Sequence, residues 1–162
     1  MGCRTVIPPA GEPGEKLIIS GTIFEADGTT PAEGVIVYVH HTNIAGIYPK
    51  KGDESGNGKF HGYQRGWMKT DLNGKYEFET IRPAPYQRHG GEPAHIHYNI
   101  QESEHSEYWL IALWFEDDPR VTADQLKTVQ REGRFSNVTS LRKDDKGILR
   151  GARNILLDKF ED

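Results

Sequence analysis

The stretch LIISGTIFEADGTTPAEGVIVYVHHT, residues 17–42, decides the fold class. Residues 17–25 and 35–42 are rich in β-branched side chains, and Asp, Gly and Pro occupy the segment 26–34 between them. β-branched residues favour extended backbone, whereas Gly and Pro favour turns. The stretch therefore predicts two strands joined in a hairpin.

Further strand and turn signals follow along the chain. MKTDLNGKYEFETI, residues 68–81, predicts a second hairpin with its turn at 71–74, and residues 94–101 and 108–116 predict two more strands. NVTSLRKDDKGILRGARNILLDKF, residues 137–160, predicts a last hairpin with its turn at 144–147. Many short strands with regular turns indicate an all-β protein, built as an antiparallel β-sandwich or a barrel.

One segment has a helical period instead. In VTADQLKTVQREG, residues 121–133, Thr122 and Gln125 have the spacing of a capping box. Leu126 and Val129 lie on one helical face, and Gly133 is placed to end the helix. The sequence predicts one short helix after the strands.

Composition limits the partners of the chain. The 162 residues include 16 aromatic side chains (7 Tyr, 6 Phe and 3 Trp), enough to anchor one core. The net charge is −4 and the basic residues are scattered, so a nucleic-acid partner is not expected. The apolar runs are too short to span a membrane. With a single cysteine, a metal site has to use His, Tyr, Asp or Glu.

The first 16 residues are rich in Pro, Gly and charge, which predicts a flexible leader before a single domain at 17–162. Cys3, close to the start of this leader, resembles the first residue of a mature bacterial lipoprotein. Two compartments stay open: export to the cell envelope through Cys3, or the cytoplasm with Cys3 as an incidental surface thiol. The myristoylation pattern is not met, because position 6 is Val6.

Two histidines and two tyrosines stand out chemically. His95 and His97 alternate within a predicted strand, so both point to one face, about 7 Å apart. Tyr48 and Tyr86 follow predicted strands in Gly- and Pro-containing loops, and such loops present side chains at sheet ends. Taken singly, each has a structural alternative: a packing tyrosine or a surface histidine. Only the combination favours a metal site.

In order along the chain, the motifs GIYPKKG (46–52), RGWMKTDLNGKYEFETIRPAPY (65–86), PAHIHY (93–98) and WFEDDP (114–119) resemble those of the intradiol ring-cleavage dioxygenases. These are the catechol and protocatechuate 3,4-type non-haem iron(III) enzymes. The resemblance extends from about Leu17 to Pro119 and implies a β-sandwich core. By motif position it implies that Tyr48, Tyr86, His95 and His97 are the Fe(III) ligands.

The ligand set agrees with elementary metal chemistry. A phenol ionises near pH 10, so tyrosine binds well only to a metal acidic enough to displace its proton, such as Fe(III). Four protein ligands also leave coordination positions open for a substrate. The resemblance implies a catecholic substrate and O2, cleavage of the ring to a muconate-type diacid, and Tyr86 as the catalytic ligand that leaves the metal and accepts a substrate proton. NAD, flavin and haem are not required, and a homo-oligomer is an open alternative to a single chain.

The sequence departs from the family pattern near the histidines. Glu92 occupies the place of an arginine whose charge stabilises the activated substrate, and a carboxylate there opposes a developing anion. Ala112 aligns with a glutamine of the family. Two alternatives are therefore kept: a non-catalytic β-sandwich module whose His/Tyr site is vestigial or binds zinc, and a structural domain that reuses the fold. Residues that can replace the lost charge are Arg65, Arg82, Arg88 and His89.

Overall fold

The computed structural model describes residues 1–88, 90–129 and 135–159. Its strands, in chain order, are β1 (Arg4–Val6), β2 (Lys16–Phe24), β3 (Ile36–His40), β4 (Arg65–Lys69), β5 (Lys75–Ile81), β6 (His95–Gln101), β7 (Tyr108–Phe115), β8 (Val138–Thr139), β9 (Arg142–Lys143), β10 (Leu149–Ala152) and β11 (Ile155–Leu156). Two short helices, α1 (Gly58–His61) and α2 (Ala123–Val129), complete the described elements.

The strands form two sheets that face each other as a β-sandwich. The first sheet has the order β1-β5-β2-β10-β9, with β11 also paired to β2, and the second has the order β4-β3-β6-β7-β8. Alternate residues of both sheets point inward and form one core, represented by Leu17 and Phe78 in the first sheet and Val37, Ile96 and Leu113 in the second. The predicted β-sandwich is confirmed.

Strand pairing differs from the prediction in two places. β2 pairs with β5, and β3 pairs with β4 and β6, so the predicted hairpins at 17–42 and 68–81 do not exist as paired strands. The turns 26–34 and 71–74 instead carry the chain from one sheet to the other. A period of two fixes the buried face of a strand but not its neighbour. The two strands of each predicted hairpin therefore lie in opposite sheets, and their apolar faces pack against each other across the core.

The antiparallel prediction holds for the central strands, and four peripheral pairs are parallel: β1 with β5, β10 with β2, β11 with β2, and β7 with β8. The last predicted hairpin is confirmed as β9 and β10. In its turn Asp144 accepts hydrogen bonds from the N–H groups of Lys146 and Ile148, each at 2.9 Å, and Gly147 has a φ of 78°.

The predicted helix is α2. Gln125 accepts a hydrogen bond from Thr122 N–H at 2.8 Å, and Gln125 N–H donates to Thr122 Oγ1 at 3.2 Å, which confirms the capping box. Gly133 lies outside the described residues. The four-residue α1 was not predicted from the sequence, which lacks room for an apolar helical period there.

The N-terminal segment is attached to the first sheet. Arg4–Val6 pair with Glu77–Glu79 of β5 as strand β1, and Ile7 packs against the core, although the sequence suggested a flexible leader. The division of the chain at residue 17 stays a prediction. No helix among the described residues is long and apolar enough to cross a membrane.

Candidate metal centre

The two histidines lie on the outer face of the second sheet. In β6 the side chains of Ile96, Tyr98 and Ile100 point into the core, so those of His95 and His97 point away from it. The two rings are perpendicular, with centroids 4.6 Å apart and Nε2 atoms 3.1 Å apart. Alternation along one strand therefore places both Nε2 atoms at one point.

Both tyrosines join the histidines at this point. The hydroxyl of Tyr48 lies 2.9 Å from that of Tyr86, which lies 2.9 Å from His97 Nε2. Metal–donor bonds of about 2.0–2.1 Å set adjacent donors about 3 Å apart, so the observed spacings suit one metal ion. Among the described residues no three His, Cys, Asp or Glu side chains form a metal site. A metal ion bound here would take the two tyrosine oxygens as donors beside the two imidazole nitrogens.

The tautomer of His95 also fits a ligand. Its Nδ1–H donates to the carbonyl oxygen of Pro93 at 2.7 Å. This bond leaves a lone pair on Nε2, the atom directed at His97, and it fixes the orientation of the ring. His95 is thus held in the form that a metal requires.

Tyr48 lies in a tight loop after β3. The Asn43 side chain accepts hydrogen bonds from the N–H groups of Ala45 at 2.9 Å and Ile47 at 3.3 Å. Asn43 N–H donates to Ile47 O at 2.9 Å, which closes the loop. Asparagine commonly stabilises such turns through its side chain. The loop ends with Tyr48 directed at the histidines.

The loop that carries Tyr86 is bonded to this first loop. Ala84 N–H donates to Asn43 O, Gln87 N–H donates to Gly46 O, and Thr42 Oγ1 donates to Ala84 O at 2.6 Å. Gly46 has a φ of 71°, and a Cβ atom there would lie 2.1 Å from Pro85 O. Only glycine permits this approach. Gly46, which sequence reasoning missed, therefore sets the separation of the two tyrosine loops.

Electrostatics disfavour charge on the site residues themselves. Burial raises the pKa of Tyr48 and of Tyr86, and the Glu92 carboxylate raises both further. Burial, followed by the neighbouring His95, lowers the pKa of His97 to about 4. At neutral pH His97 is therefore a neutral imidazole, and a phenolate beside it requires an adjacent cation.

His40 and His61 extend the cluster. The His40 ring stacks on His61, with centroids 3.6 Å apart, and on His97, at 4.6 Å. His40 is 3% exposed, and neither of its ring nitrogens has a hydrogen-bond partner among the described residues. Burial lowers its pKa to about 2. The sequence offered no sign of this stack, because it depends on the pairing of His40 with His97 across two strands.

The residues considered as substitutes for the family arginine make different contacts in the structure. Arg82 forms a two-bond ion pair with Asp117, at 2.9 and 2.7 Å. Arg65 Nε donates a hydrogen bond to Gly62 O at 3.0 Å. Burial is the largest cause of the lowered pKa of His61, and the Arg65 charge is the second. His89 lies outside the described residues. Arg120, which the sequence did not single out, donates to the backbone oxygen of Glu92 at 3.2 Å.

Ala112 lies in a bulge of β7. Ile111 and Ala112 both fall between the paired residues on this strand, opposite the single residue His97 of β6. Two polar side chains bond to the bulge: the amide nitrogen of Asn137 donates to Ala112 O at 2.7 Å, and the Arg153 guanidinium donates to Ile111 O at 2.7 Å. An amide side chain therefore lies near the bulge, although it comes from outside β7.

Comparisons with known proteins agree with this geometry. A family model described as "Dioxygenase" matches residues 4–157. The catechol 1,2-dioxygenase of Acinetobacter baylyi is 36% identical over 135 residues, which cover 74% of this chain and 42% of the relative. The protocatechuate 3,4-dioxygenase beta chain of Burkholderia cepacia is 29% identical over 124 residues, covering 72% and 52%.

A solved structure is similar over nearly the whole chain. The catechol 1,2-dioxygenase of Acinetobacter sp. ADP1, inhibited by bound mercury, aligns with a TM-score of 0.74 and 26% identity, covering 98% of this chain and 58% of that one. The chain spans about half the length of the curated relatives it matches.

Proposed function

This chain belongs to the intradiol dioxygenase family, and from that premise we propose that it is a non-haem iron(III) dioxygenase. The reaction opens a catecholic ring between its two hydroxyl-bearing carbons with O2. The observation that carries the proposal is the convergence of two phenol oxygens and two imidazole nitrogens, joined by spacings of 2.9 to 3.1 Å.

Tyr48, Tyr86, His95 and His97 would hold the iron. When bound, Fe(III) supplies a Lewis acid that draws electron density from a chelated catecholate and makes its ring reactive towards O2. It is also the cation that the two half-buried phenols need in order to ionise. The donor set therefore fits a ferric ion, which hard oxygen ligands favour.

Tyr86 is the residue that accepts a proton from the substrate. Its hydroxyl lies between Tyr48 and His97 Nε2, in the middle of the donor atoms. A catechol has to lose both hydroxyl protons to chelate a metal. Because burial raises the pKa of Tyr86, its phenolate oxygen would be a strong base in this environment, able to hold one of the two protons that the catechol gives up. The other proton would leave with solvent.

Glu92 makes simple catechols slow substrates. Its charge raises the pKa of both tyrosines, so its field reaches the donor atoms. A negative field there opposes the electron-rich state through which the ring must pass. The proposal therefore includes slow ring cleavage for simple catechols, and faster cleavage for a substrate whose own groups offset the Glu92 charge.

Visible absorption tests the metal assignment. Tyrosinate bound to Fe(III) gives a charge-transfer band, so iron-loaded protein should be coloured, and anaerobic catechol should shift the band. Tyr48→Phe and Tyr86→Phe should each weaken or abolish it. Tyr63→Phe is the matched control, since its hydroxyl contacts Glu12 at 3.0 Å instead of the site. A colourless protein that binds zinc equally well would refute the iron assignment.

The reaction itself is tested with labelled oxygen. Aerobic incubation of iron-loaded protein with catechol and 18O2 should yield a ring-opened diacid that carries both atoms of one O2 molecule. Incorporation of a single atom, or a quinone product, would exclude intradiol cleavage.

A further inference from the structure

A row of large side chains crosses the outer face of the second sheet. Trp67 of β4 pairs in register with Tyr38 of β3, Tyr38 with Asn99 of β6, and Asn99 with Trp109 of β7. Tyr38 and Trp67 stack with ring centroids 4.7 Å apart. We call Trp67, Tyr38 and Trp109 the aromatic shelf. Across the three strand spacings the shelf extends about 14 Å.

The aromatic shelf is continuous with the candidate metal centre. The parallel rings of His97, His40 and His61 lead from the centre to Tyr38, whose hydroxyl is 2.7 Å from His61 Nδ1. The indole of Trp109 is perpendicular to the His97 ring, with centroids 6.1 Å apart. A planar group attached to a catechol at the centre therefore reaches Trp109 within about one ring length.

The two tryptophans at the ends of the shelf are open to solvent. Trp109 is 59% exposed and Trp67 is 40% exposed. Indole surface of this extent is costly to leave in water and is typical of a binding surface. Beneath it Asn99 is 5% exposed, so the floor between the rings is closed. The arrangement suits a flat ligand that lies on the surface.

The charges beside the shelf favour a neutral ligand. The Arg65 guanidinium lies 4.9 Å from the Trp67 ring centroid, and Glu107 accepts a hydrogen bond from Asn99. One charge of each sign gives no net attraction for a strongly charged group, whereas phenolic hydroxyls can bond to either.

We propose that the aromatic shelf binds a second planar ring of the substrate, so that the substrate class is an extended, two-ring catechol rather than catechol alone. This inference rests on the proposed function, because it places the diol of the same molecule at the metal centre. Trp109 is the main specificity-determining residue, and the exposed ring of Trp67, which stacks on the buried Tyr38, binds more distal parts of the ligand.

The test uses two probes that differ by one ring, catechol and 4-phenylcatechol. Both are titrated anaerobically into iron-loaded protein, and the shift of the charge-transfer band reports binding. Trp109→Ala should weaken 4-phenylcatechol about tenfold more than it weakens catechol, and Trp109→Phe should restore most of the difference. Leu72→Ala is the control, since Leu72 is 71% exposed and lies in the β4–β5 turn away from the shelf.

A second measurement does not depend on iron. In metal-free protein, 4-phenylphenol, which has two rings but no diol, should quench tryptophan fluorescence, and Trp109→Ala should remove most of the effect. If the charge-transfer band and its shift with catechol are missing while this quenching remains, the proposed function is wrong but the aromatic shelf still binds a planar ligand. If Trp109→Ala weakened the binding of catechol and 4-phenylcatechol equally, or if 4-phenylphenol did not quench the fluorescence, the proposed role of the aromatic shelf would be refuted. Conversion of a dimer to a monomer by Trp109→Ala without a change in ligand preference would refute it too, because the face would then join two copies of the chain.

Discussion

Gly46→Ala tests whether the contact between the two tyrosine loops sets the metal centre. The added Cβ would lie 2.1 Å from Pro85 O and 3.0 Å from Gln87 N. A carbon and a carbonyl oxygen pack at about 3.3 Å, so the loops must separate by roughly 1 Å. The residue must also keep a φ of 71°, which costs about 1–2 kcal/mol for a residue with a side chain.

This displacement should weaken both metal binding and the folded state. Tyr48 and Tyr86 stand two residues after Gly46 and one after Pro85, so the separation is transmitted directly to their hydroxyls, now 2.9 Å apart. Donor sets have to be held within about 0.5 Å. We expect iron(III) affinity to fall about 10- to 100-fold, and the free energy of unfolding of the metal-free protein to fall by about 2–4 kcal/mol.

Ferric titration followed in the visible band, together with thermal unfolding of the metal-free protein, measures both effects. Gly52→Ala is the matched control: Gly52 also has a positive φ, 105°, but a Cβ there meets no atom within 4 Å. It should lose stability without a large loss of iron affinity. If Gly46→Ala binds iron as tightly as Gly52→Ala does, the Gly46–Pro85 contact does not set the tyrosine geometry.

Two further predictions concern charge. Glu92→Gln should lower the pKa of Tyr48 and Tyr86 and raise iron affinity at neutral pH about two- to fivefold. Glu92→Arg should also speed turnover of catechol. An unchanged pH profile of the visible band would show that the Glu92 carboxylate does not act on the two tyrosines. Burial lowers the pKa of His41 from 6.5 to about 4, so the fold favours its neutral form. The resulting stability is complete above pH 6.5 and is lost as the pH falls towards 4, by about 3 kcal/mol. Urea unfolding of metal-free protein at pH 7.5 and 4.5 measures the combined loss from the buried histidines, and His41→Gln should remove the share that belongs to His41. An equal loss in the variant would contradict the assignment.

The sequence predicted local structure well where one strand or turn carries the signal. The β6 pattern placed His95 and His97 on one face, because alternation needs no knowledge of a partner strand. The Thr122–Gln125 cap and the turn at Asp144 were predicted for the same reason, since each bonds within a few residues. The convergence of Tyr48 and Tyr86 with them followed only from the family motifs.

Contacts between distant segments were not predictable in this way. Arg82 was a candidate for the missing charge near the centre, but it is bonded to Asp117, 35 residues away. The hairpin expected at 17–42 is instead a crossing between sheets, because its strands bury their apolar faces against each other. Side-chain type and spacing do not encode which distant group a residue meets.

By itself, the sequence determined the central strands, their buried faces and the turns, since these follow from local alternation and turn chemistry, and the family motifs supplied the four donor residues as a prediction. Only the tertiary structure decided which strands are neighbours. That choice brought His40 beside His97 and aligned Trp67, Tyr38, Asn99 and Trp109 in one row. The physical reason is that a strand's period of two specifies which face is buried, whereas its register with other strands depends on packing the whole core.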